Sequence, residues 1–508
     1  MTRDSSDAAR VRSVVLVWLL VSTVTAVPYV RASLNPPPGT SFVGFFFYVD
    51  DAYNYLSYAQ QAEDGAFVFV NKLVTTPHEP ALVNLEWWAV GVLSRVVGRH
   101  PAAAYRAFGA LAGLGLVWMI ALWLRRAGLR GARVLPALLL VSTAGGLGGL
   151  RFLLWRTPPP RCPDLATGAF PFIEMLGNPH FVAGTALLLA ALFSFVGARA
   201  PRDHARSALL GTVLGLVRPY DLVLLVTARA LGVALTRPTR AWPASLAPLF
   251  TLLPVVLYNG WIFYRVPAFS FLGRAPYVSP GLGDLLWALG PALMLALPAL
   301  RQVGADPAET EARRHLGAWL CLGLVLVAAQ PVHFSLQFIV GLGVPLLILA
   351  CLTLDRFPLI AILAAIAAMS TTALVAVLLV LSPNPRWYPP EWRLEAVRAL
   401  RPHCTPRSLL LAPPDIGLYA IGLTACKAYV SHPVVPDHAE RVAAVQGFYG
   451  SWTPAQRSAF LDREGVTHVL LPGETPQVPE EWLGAGTPFR KLARSGPLSL
   501  YGRLGHGS

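Results

Sequence analysis

The sequence predicts an all-α polytopic membrane protein of about 11 transmembrane helices, followed by a small C-terminal α/β domain. Its 508 residues are 55% hydrophobic and 13% charged, whereas soluble domains carry about 25% charged residues. The mean hydropathy is +0.53, and the apolar residues fall in long blocks that a soluble core would not need. After Ser382 the composition changes to a proline-rich linker and shorter apolar runs.

The longest apolar blocks approach the roughly 20 residues needed to cross a bilayer. In lipid the backbone groups must be hydrogen-bonded within the segment, so we expect these blocks to be helices. The first block has a basic flank but no clear small-residue cleavage site, which favours a retained helix over a signal peptide. The blocks lie at 13–30, 103–124, 134–150, 181–198, 243–263, 285–300, 316–331, 337–354 and 358–381.

The net charge of +14 comes largely from arginines in short loops between apolar blocks. This distribution is typical of cytoplasmic loops, so it indicates topology and does not indicate nucleic-acid binding. It predicts a multi-pass protein of the cytoplasmic (inner) membrane with the N-terminus inside. The segment of about 31–102 then forms a first outer loop, and residues 382–508 lie outside. The loop arginines are Arg125, Arg126, Arg130, Arg133, Arg199, Arg202, Arg206, Arg237, Arg240, Arg313 and Arg314.

Two short apolar pieces, 207–217 and 222–236, flank Arg218-Pro219-Tyr220-Asp221. Broken or short helices at membrane depth are tolerated where they line a cavity. The pieces form either two short spans that meet at an outer corner or one long broken helix. The arginine-rich ends on both sides of the pair favour two spans.

These patterns divide the chain into a transmembrane domain, 1–381, and an extracytoplasmic α/β domain, 382–508. In the second domain, short apolar runs predict strands and longer periodic patterns predict helices. The five cysteines form no CxxC motif, and Cys404 with Cys426 is a candidate disulfide on the outer side. The predicted strands are 407–412, 427–430 and 466–471, and the predicted helices are 437–449 and 453–465.

An acidic pair, Asp50-Asp51, follows the aromatic run that ends at Tyr48 in the first outer loop. If 50–64 is helical, the spacing places Asp50 on one face with Asn54, Ser57 and Gln61. One carboxylate could accept a proton from a hydroxyl while its like-charged neighbour raises its pKa. The alternative is that the pair only caps the helix by binding free backbone N–H groups.

Other polar residues of the outer loops are candidates for an acceptor site or cleft. His78 and Glu79 are adjacent in a Thr75–Pro80 turn, where they could bind a metal, orient an acceptor or relay a proton, or form a surface turn only. Tyr55 lies beside the acidic pair on the predicted helix. His180 and His333 lie on two further outer turns, and a histidine in such a place is often structural.

Arg106 and Arg218 lie at or near the ends of apolar segments. Ionisable groups in a membrane are costly and are functional candidates by default. The planar guanidinium fork suits a phosphate group, because it offers two parallel hydrogen bonds. The alternatives are an internal ion pair with Asp221 for Arg218, and a side chain that extends to the lipid headgroups for Arg106.

With these motifs in place, the chain resembles the GT-C glycosyltransferases, which include protein mannosyltransferases, the lipid A aminoarabinose transferase and mycobacterial arabinosyltransferases. It is most similar to other bacterial members of that group, and the resemblance covers about 1–400 in layout. The matching pieces are Asp50-Asp51-Ala52-Tyr53, Thr75 to Pro80, the glycine run 145–149, Asn178-Pro179-His180-Phe181 and Arg218-Pro219-Tyr220.

The resemblance implies an inverting glycosyltransferase that moves a sugar from a polyprenyl-phosphate donor to a glycan, lipid or protein acceptor at the outer membrane face. Asp50 or Asp51 would be the general base, with Asp50 favoured. Some relatives use a divalent cation such as Mg²⁺ or Mn²⁺, for which Asp51, Glu79 and Glu174 are the candidate ligands here. The D/E-x-D motif of the oligosaccharyltransferase branch is absent, which puts an obligatory metal in doubt.

Two other classes compete with this interpretation. A transporter or flippase of a lipid-linked or small polar substrate would explain the broken helix and the membrane arginines. It predicts internal repeat symmetry, which the sequence lacks, and it gives the long first outer loop no role. A scaffold subunit of an envelope complex would leave Asp50-Asp51 without a purpose.

Overall fold

A computed structural model describes residues 3–157, 161–166, 168–197, 200–275, 277–354, 358–472, 482–483 and 487–504. It is mostly helical, at 69%. The chain splits into two compact units, each of which combines distant parts of the sequence. The first unit comprises Met1–Arg31, Arg106–Trp261 and Gly273–Ser382, and the second comprises Ala32–Tyr105, Ile262–Leu272 and Pro383–Ser508.

The α-helices and strands are numbered in chain order. The helices are α1 Arg3–Leu34, α2 Val49–Glu63, α3 Leu85–Val96, α4 Pro101–Arg126, α5 Val134–Thr143, α6 Gly148–Trp155, α7 Pro163–Ala166, α8 Pro171–Gly177, α9 Pro179–Gly197, α10 Pro201–Val217, α11 Asp221–Thr236, α12 Trp242–Leu246, α13 Leu253–Arg265, α14 Pro267–Ser270, α15 Leu282–Arg301, α16 Pro307–Ala329, α17 Gly343–Leu354, α18 Pro358–Leu381, α19 Glu391–Leu400, α20 Pro414–Leu423, α21 His438–Tyr449 and α22 Pro454–Arg463. The strands are β1 Leu409–Leu411, β2 Lys427–Ala428, β3 His468–Pro472, β4 Phe489–Ser495 and β5 Leu498–Arg503.

Seven helical segments among the described residues are long and apolar enough to cross a membrane. The segment Gly131–Thr143, which contains α5, and α6 form a pair bent by 45°. If this pair is one broken span, it adds an eighth. The helical membrane architecture is therefore confirmed, while the count of about 11 spans stays a prediction. The seven segments are Arg10–Leu34, Pro101–Arg126, Pro179–Val196, Thr239–Arg265, Leu282–Arg301, Pro307–Ala329 and Ser335–Leu354.

The glycine run at 145–149 forms the break between α5 and α6 in the first unit. Asp164 accepts a hydrogen bond from the backbone N–H of Gly148 at 2.7 Å, at the N-terminus of α6. A Cβ on Gly148 would lie 2.0 Å from that carboxylate, and one on Gly146 would lie 1.9 Å from the carbonyl oxygen of Ala288. The glycines thus allow a close approach of backbone and carboxylate, which a side chain would prevent.

The two short apolar pieces form separate helices, α10 and α11, on either side of a turn at Arg218. Leu214 accepts the backbone N–H of Arg218 at 2.7 Å, and the carbonyl of Arg218 accepts the backbone N–H of Asp221 at 3.1 Å. Each helix is shorter than the roughly 20 residues that span a bilayer. The turn brings the side chains of Arg218 and Asp221 together inside the first unit.

A five-stranded mixed sheet with strand order β2-β1-β3-β5-β4 is built into the second unit. β1 pairs in parallel with β2 and β3, while β5 pairs antiparallel with β3 and β4. The predicted strands at 407–412, 427–430 and 466–471 correspond to β1, β2 and β3. The buried hydroxyl of Tyr449 on α21 donates to the carbonyl oxygen of Leu470 at 2.7 Å, which ties the helix to the sheet.

Helix α2 packs closely on two other helices of the second unit. A Cβ on Gly91 of α3 would lie 2.4 Å from the carbonyl oxygen of Ala59, and one on Gly422 of α20 would lie 2.7 Å from Tyr53. Arg95 donates from its Nε to the carbonyl oxygen of Glu63 at 2.7 Å, at the C-terminus of α2. A cation there is favourable because the helix dipole places partial negative charge at that end.

Candidate functional site

The acidic pair lies in the first turn of α2, so the helix predicted at 50–64 forms as expected. Tyr48 precedes the helix with φ of 50°, a left-handed conformation that is uncommon for a residue with a side chain. Such conformations cost free energy and are concentrated at functional sites. The sharp turn at Tyr48 sets the direction in which Asp50 and Asp51 leave the backbone.

Asp50 lines a cleft of about 260 Å³ inside the second unit. Among the described residues, no hydrogen bond joins the carboxylate of Asp50 to a backbone N–H of α2. The geometry therefore lacks the capping bond that the purely structural interpretation requires. The cleft is lined by Val49, Asp50, Arg386, Pro414, Asp415, Leu418, Tyr419, Ser431, Pro433 and His438.

Asp51 is held by a histidine that lies 381 positions later in the sequence. The Nε2 atom of His432 is 3.1 Å from Oδ1 of Asp51. The backbone N–H of Val434 donates to Nδ1 of His432 at 3.0 Å. Because Nδ1 accepts a hydrogen bond, the ring proton is on Nε2, and the histidine donates it to Asp51.

Two of the titratable groups that line this cleft with Asp50 have shifted pKa values. Burial, with a further contribution from His432, lowers the pKa of His438, and the charge of Asp50 raises it only in part. Its imidazole is therefore neutral at pH 7 and can accept a proton. Burial and the nearby carboxylate of Asp415 raise the pKa of Tyr419 to about 12, so its hydroxyl remains a hydrogen-bond donor.

His78 and Tyr55 make contacts within the second unit. Nε2 of His78 accepts the backbone N–H of Asn71 at 3.1 Å, and Nδ1 is 2.9 Å from the carbonyl oxygen of Thr76. Both ring nitrogens of His78 are therefore bonded to backbone. Tyr55 is half-buried and stacks on Trp87 with ring centroids 4.4 Å apart. Glu79 is exposed in the same turn as His78.

Arg218 lies inside the first unit, with its side chain 1% exposed. Its guanidinium forms a salt bridge with Asp221 and donates to the backbone and side-chain oxygens of Gln337 at 3.0 and 2.8 Å. The ring of Phe181 lies 5.4 Å from the guanidinium carbon. This is the ion pair with Asp221 that we considered as the alternative to phosphate binding.

Glu174 is buried near this ion pair. Burial raises the pKa of Glu174 well above its ordinary value, although Thr185 and Arg218 oppose the shift. Oε1 of Glu174 accepts the hydroxyl of Thr185 at 3.1 Å, while Oε2 has no hydrogen-bond partner among the described residues. His180 is also buried and contributes to the electrostatic field at Asp221.

The remaining candidates of the first unit lie in different environments. The guanidinium carbon of Arg106 is 3.8 Å from the ring centroid of Tyr29 on α1. The hydroxyl of Tyr29 donates a hydrogen bond to the carbonyl oxygen of Leu176 at 2.6 Å. The side chain of His333 is exposed in a turn. The backbone carbonyl oxygen of His333 accepts a hydrogen bond from the backbone N–H of Tyr277 at 3.3 Å.

The candidate metal ligands are distributed over both units. The described residues contain no group of three or more His, Cys, Asp or Glu side chains that could hold a metal ion. Asp51 and Glu79 belong to the second unit, whereas Glu174 is buried in the first. Use of a divalent cation stays a prediction, and the steps proposed below involve only side chains.

Lys72 is a buried amine that supports α2 from the first outer loop. Its Nζ donates to Oε1 of Gln60 at 2.6 Å and to the carbonyl oxygens of Ile421 and Thr424 at 3.2 and 2.6 Å. These three bonds connect α2 with the C-terminal end of α20. Burial lowers the pKa of Lys72 to about 7, although the charge of Asp64 opposes the shift.

We expect wild-type protein to gain stability relative to Lys72→Met as the pH rises from about 7 toward 10. In this interval the unfolded chain still binds the lysine proton, whose ordinary pKa is about 10.4, while the folded chain has released it. The gain should be at most about 1.4 kcal/mol per pH unit. Denaturation midpoints of both proteins at pH 6.5 and pH 9 provide the measurement, and parallel pH curves would contradict it.

Sequence reasoning missed most of the groups around the acidic pair. Arg386, Asp415, Tyr419, His432 and His438 all come from the C-terminal segment, more than 330 positions after Asp50. Helical periodicity relates only residues that are near in sequence. The one available signal was the pair of histidines, His432 and His438, within a short stretch of the predicted outer domain.

The structure is similar to solved structures that include the following three. ArnT from Cupriavidus metallidurans, solved with undecaprenyl phosphate, matches over 99% of each chain at 13% identity and a TM-score of 0.52. The oligosaccharyltransferase AglB from Archaeoglobus fulgidus, solved with an inhibitory peptide and a dolichol-phosphate, matches over 91% of this chain and 69% of AglB at 10% identity and a TM-score of 0.54. The arabinofuranosyltransferase AftD from Mycobacteria matches over 97% of this chain at 18% identity and a TM-score of 0.57.

This chain covers 40% of the length of AftD. No family model matches the sequence, and no curated protein matches it. The structural similarities confirm the GT-C fold that the sequence predicts.

Proposed function

We propose that this protein is an inverting glycosyltransferase that takes a sugar from a polyprenyl-phosphate donor and transfers it to a hydroxyl of a glycan, lipid or protein acceptor. The observation that carries the proposal is the free carboxylate of Asp50 in an open cleft, on the helix that follows the first membrane helix of a GT-C fold. ArnT and AglB, which share this fold, were solved with undecaprenyl phosphate and dolichol-phosphate.

In the proposed reaction, Asp50 accepts the proton of the acceptor hydroxyl as its oxygen attacks the anomeric carbon of the donor sugar. The new bond joins that oxygen to the anomeric carbon, and the bond between the anomeric carbon and the phosphate oxygen breaks. Polyprenyl phosphate leaves with the electron pair, and the sugar configuration inverts. General-base assistance of this kind typically contributes about 10²–10⁴-fold to the rate.

We place the reaction at the outer face of the cytoplasmic membrane. The disulfide between Cys404 and Cys426 supports this location, because disulfides persist outside the reducing cytoplasm. The arginine-rich loops between the apolar segments support a cytoplasmic position for the opposite face. A polyprenyl tail can then remain in the lipid while a hydrophilic acceptor arrives from the aqueous side.

The test is an assay of the purified full-length protein with a panel of radiolabelled polyprenyl-phosphate sugars and an envelope extract as the acceptor source. We expect wild-type protein to release polyprenyl phosphate from at least one donor and to transfer the label to the acceptor fraction. The Asp50→Asn variant should do so much more slowly. Uptake of intact donor into vesicles without loss of its sugar would instead indicate a transporter.

We expect His432 and Asp51 to act as one unit in catalysis. The histidine fixes the orientation of Asp51, which in turn lies beside the proposed base. Asp51→Asn and His432→Ala should each lower turnover, and the double variant should be little worse than either single variant. A coupling of about 0.5–3 kcal/mol is typical of residues in contact.

The measurement is turnover at saturating donor for the four proteins of this double-mutant cycle. His403→Ala is the matched control, since this histidine belongs to the same unit but does not line the cleft. Its effect should add to that of Asp51→Asn. Simple additivity of Asp51→Asn and His432→Ala would show that the hydrogen bond between them has no catalytic role.

A further inference from the structure

Two segments that follow apolar helices run side by side in the second unit. One is 39–43, after the end of α1, and the other is 387–391, after the end of α18. The backbone N–H groups of Ser41 and Val43 donate to the carbonyl oxygens of Pro389 and Trp387 at 3.0 Å each. The N–H of Glu391 donates to the carbonyl oxygen of Gly39 at 3.1 Å. This backbone pairing fixes the register between the two segments.

Aromatic side chains reinforce the pairing. Phe46 and Trp387 pack edge to face with ring centroids 5.0 Å apart, and Phe42 lies 5.6 Å from Tyr388. Tryptophan and tyrosine are enriched where proteins meet the lipid headgroups. Arg386 directly precedes Trp387, and Phe46 lies in the segment that leads into α2 and Asp50. The packing therefore holds the backbone of Arg386 near the start of α2.

The guanidinium of Arg386 is not neutralised by a carboxylate of the described residues. Its side chain is exposed and lines the same cleft as Asp50 and Tyr419. Two other arginines of this unit that lie near the cleft are paired: Arg393 with Asp415, and Arg441 with Asp437 at 2.8 Å. Among the described residues, no carboxylate lies in salt-bridge distance of Arg386, so the cleft contains a guanidinium that is available to an anion.

The position of Arg386 in the chain suits a lipid-linked anion. It lies five residues after Leu381, the last residue of α18. An extended chain spans at most about 3.6 Å per residue, so at most about 18 Å of backbone separates the guanidinium-bearing residue from the end of that apolar helix. A phosphate on a polyprenyl chain is held at the headgroup level because its tail stays in the lipid. The short connection to an apolar helix limits how far Arg386 can lie from that level.

Arg218 is a poorer phosphate ligand in this structure. Its guanidinium is enclosed and already donates to Asp221 and Gln337. To bind a phosphate there, the guanidinium would have to leave a buried carboxylate without its partner, which is costly. Arg386 can bind an anion with no such loss.

We infer that Arg386 binds the phosphate group of the polyprenyl-linked donor across the cleft from Asp50. This inference rests on the proposed function, because it assigns a contact for the donor of that reaction. The guanidinium fork gives two charge-assisted hydrogen bonds to phosphate oxygens and stabilises the negative charge that grows on the leaving phosphate. The reacting bond then lies between the guanidinium of Arg386 and the carboxylate of Asp50.

The experiment measures equilibrium binding of radiolabelled undecaprenyl phosphate to the full-length protein in nanodiscs. We expect Arg386→Ala to raise the Kd at least about tenfold, which corresponds to the loss of one charged hydrogen-bonded contact. Arg386→Lys should lie between wild type and Arg386→Ala, because it keeps the charge but loses the fork. Arg407→Ala is the matched control, since it removes an exposed arginine of the same unit outside the cleft.

Two further ligands separate the phosphate group from the tail and from free phosphate. Undecaprenol, which lacks the phosphate, should bind wild type and Arg386→Ala equally. Inorganic phosphate should compete with the lipid only weakly, and competition as strong as that of the lipid would overturn the assignment to a lipid-linked donor.

The outcomes also separate the inference from the function on which it rests. If wild-type protein binds undecaprenyl phosphate and Arg386→Ala binds it with the same Kd, Arg386 is not the phosphate ligand and the proposed function stands. If wild-type protein binds no undecaprenyl phosphate, the proposed function fails and the inference fails with it. Because Arg386 is exposed, its variants should fold, and an unchanged denaturation midpoint checks this.

Discussion

Replacement of Asp50 by Asn is expected to lower turnover by about 10²–10⁴-fold, the usual contribution of a general base. The amide is nearly isosteric with the carboxylate but cannot accept the proton of an acceptor hydroxyl. The carboxylate of Asp50 makes no hydrogen bond to the backbone of α2 among the described residues, so its replacement should cost little stability. The measurement is turnover normalised to folded protein, with a denaturation midpoint for each variant.

Two comparisons make this result specific to Asp50. Asp51→Asn should act more mildly, because Asp51 is engaged by His432 and serves to position its neighbour. Asp462→Asn, at an exposed aspartate of the same unit outside the cleft, should retain wild-type turnover. Full normalised activity in the Asp50→Asn, Asp51→Asn double variant would eliminate the catalytic interpretation and favour a transporter. A stability loss without a turnover loss would favour helix capping.

The local elements around this site could be predicted because their signals are local. The 3.6-residue period of polar and aromatic residues after Tyr48 predicted α2, which spans Val49–Glu63. Apolar runs predicted β1 and β3, whose residues are almost all buried. The hairpin of β4 and β5 was not predicted. β4, with sequence FRKLARS, is an edge strand rich in arginine and lysine, a composition that protects sheet edges and resembles a solvated tail.

The assembly of the cleft could not be predicted, because it depends on contacts between residues far apart in sequence. Asp51 and His432 are separated by 381 positions, and no periodicity relates them. Arg386 lies in a proline-rich linker, where a basic residue carries no special signal. By contrast, the pairing of Arg218 with Asp221 could be considered from the sequence, since the two residues are three positions apart. The hydrogen bonds of Arg218 with Gln337 could not be predicted from the sequence.

Replacement of Arg218 by Met is expected to destabilise the protein by about 3–5 kcal/mol, the usual cost of removing one partner of a buried ion pair. Methionine fills a similar volume beside Phe181 but leaves the carboxylate of Asp221 buried without a cation. Glu174 cannot replace the lost charge, because it is acidic and burial raises its pKa well above its ordinary value. Burial disfavours the charged form of Glu174, and neither form of this side chain supplies a cation for Asp221.

The double variant Arg218→Met, Asp221→Leu is the decisive comparison. It removes both charges, so most of the lost stability should return, as expected where a buried pair is replaced by apolar residues of similar size. The measurement is the denaturation midpoint of purified protein in detergent, together with the fraction that elutes as a single species. Exposed Arg407→Ala should leave both unchanged. A stable Arg218→Met variant that binds undecaprenyl phosphate weakly would show that Arg218 leaves its ion pair to bind the donor, and would transfer the phosphate contact from Arg386 to Arg218.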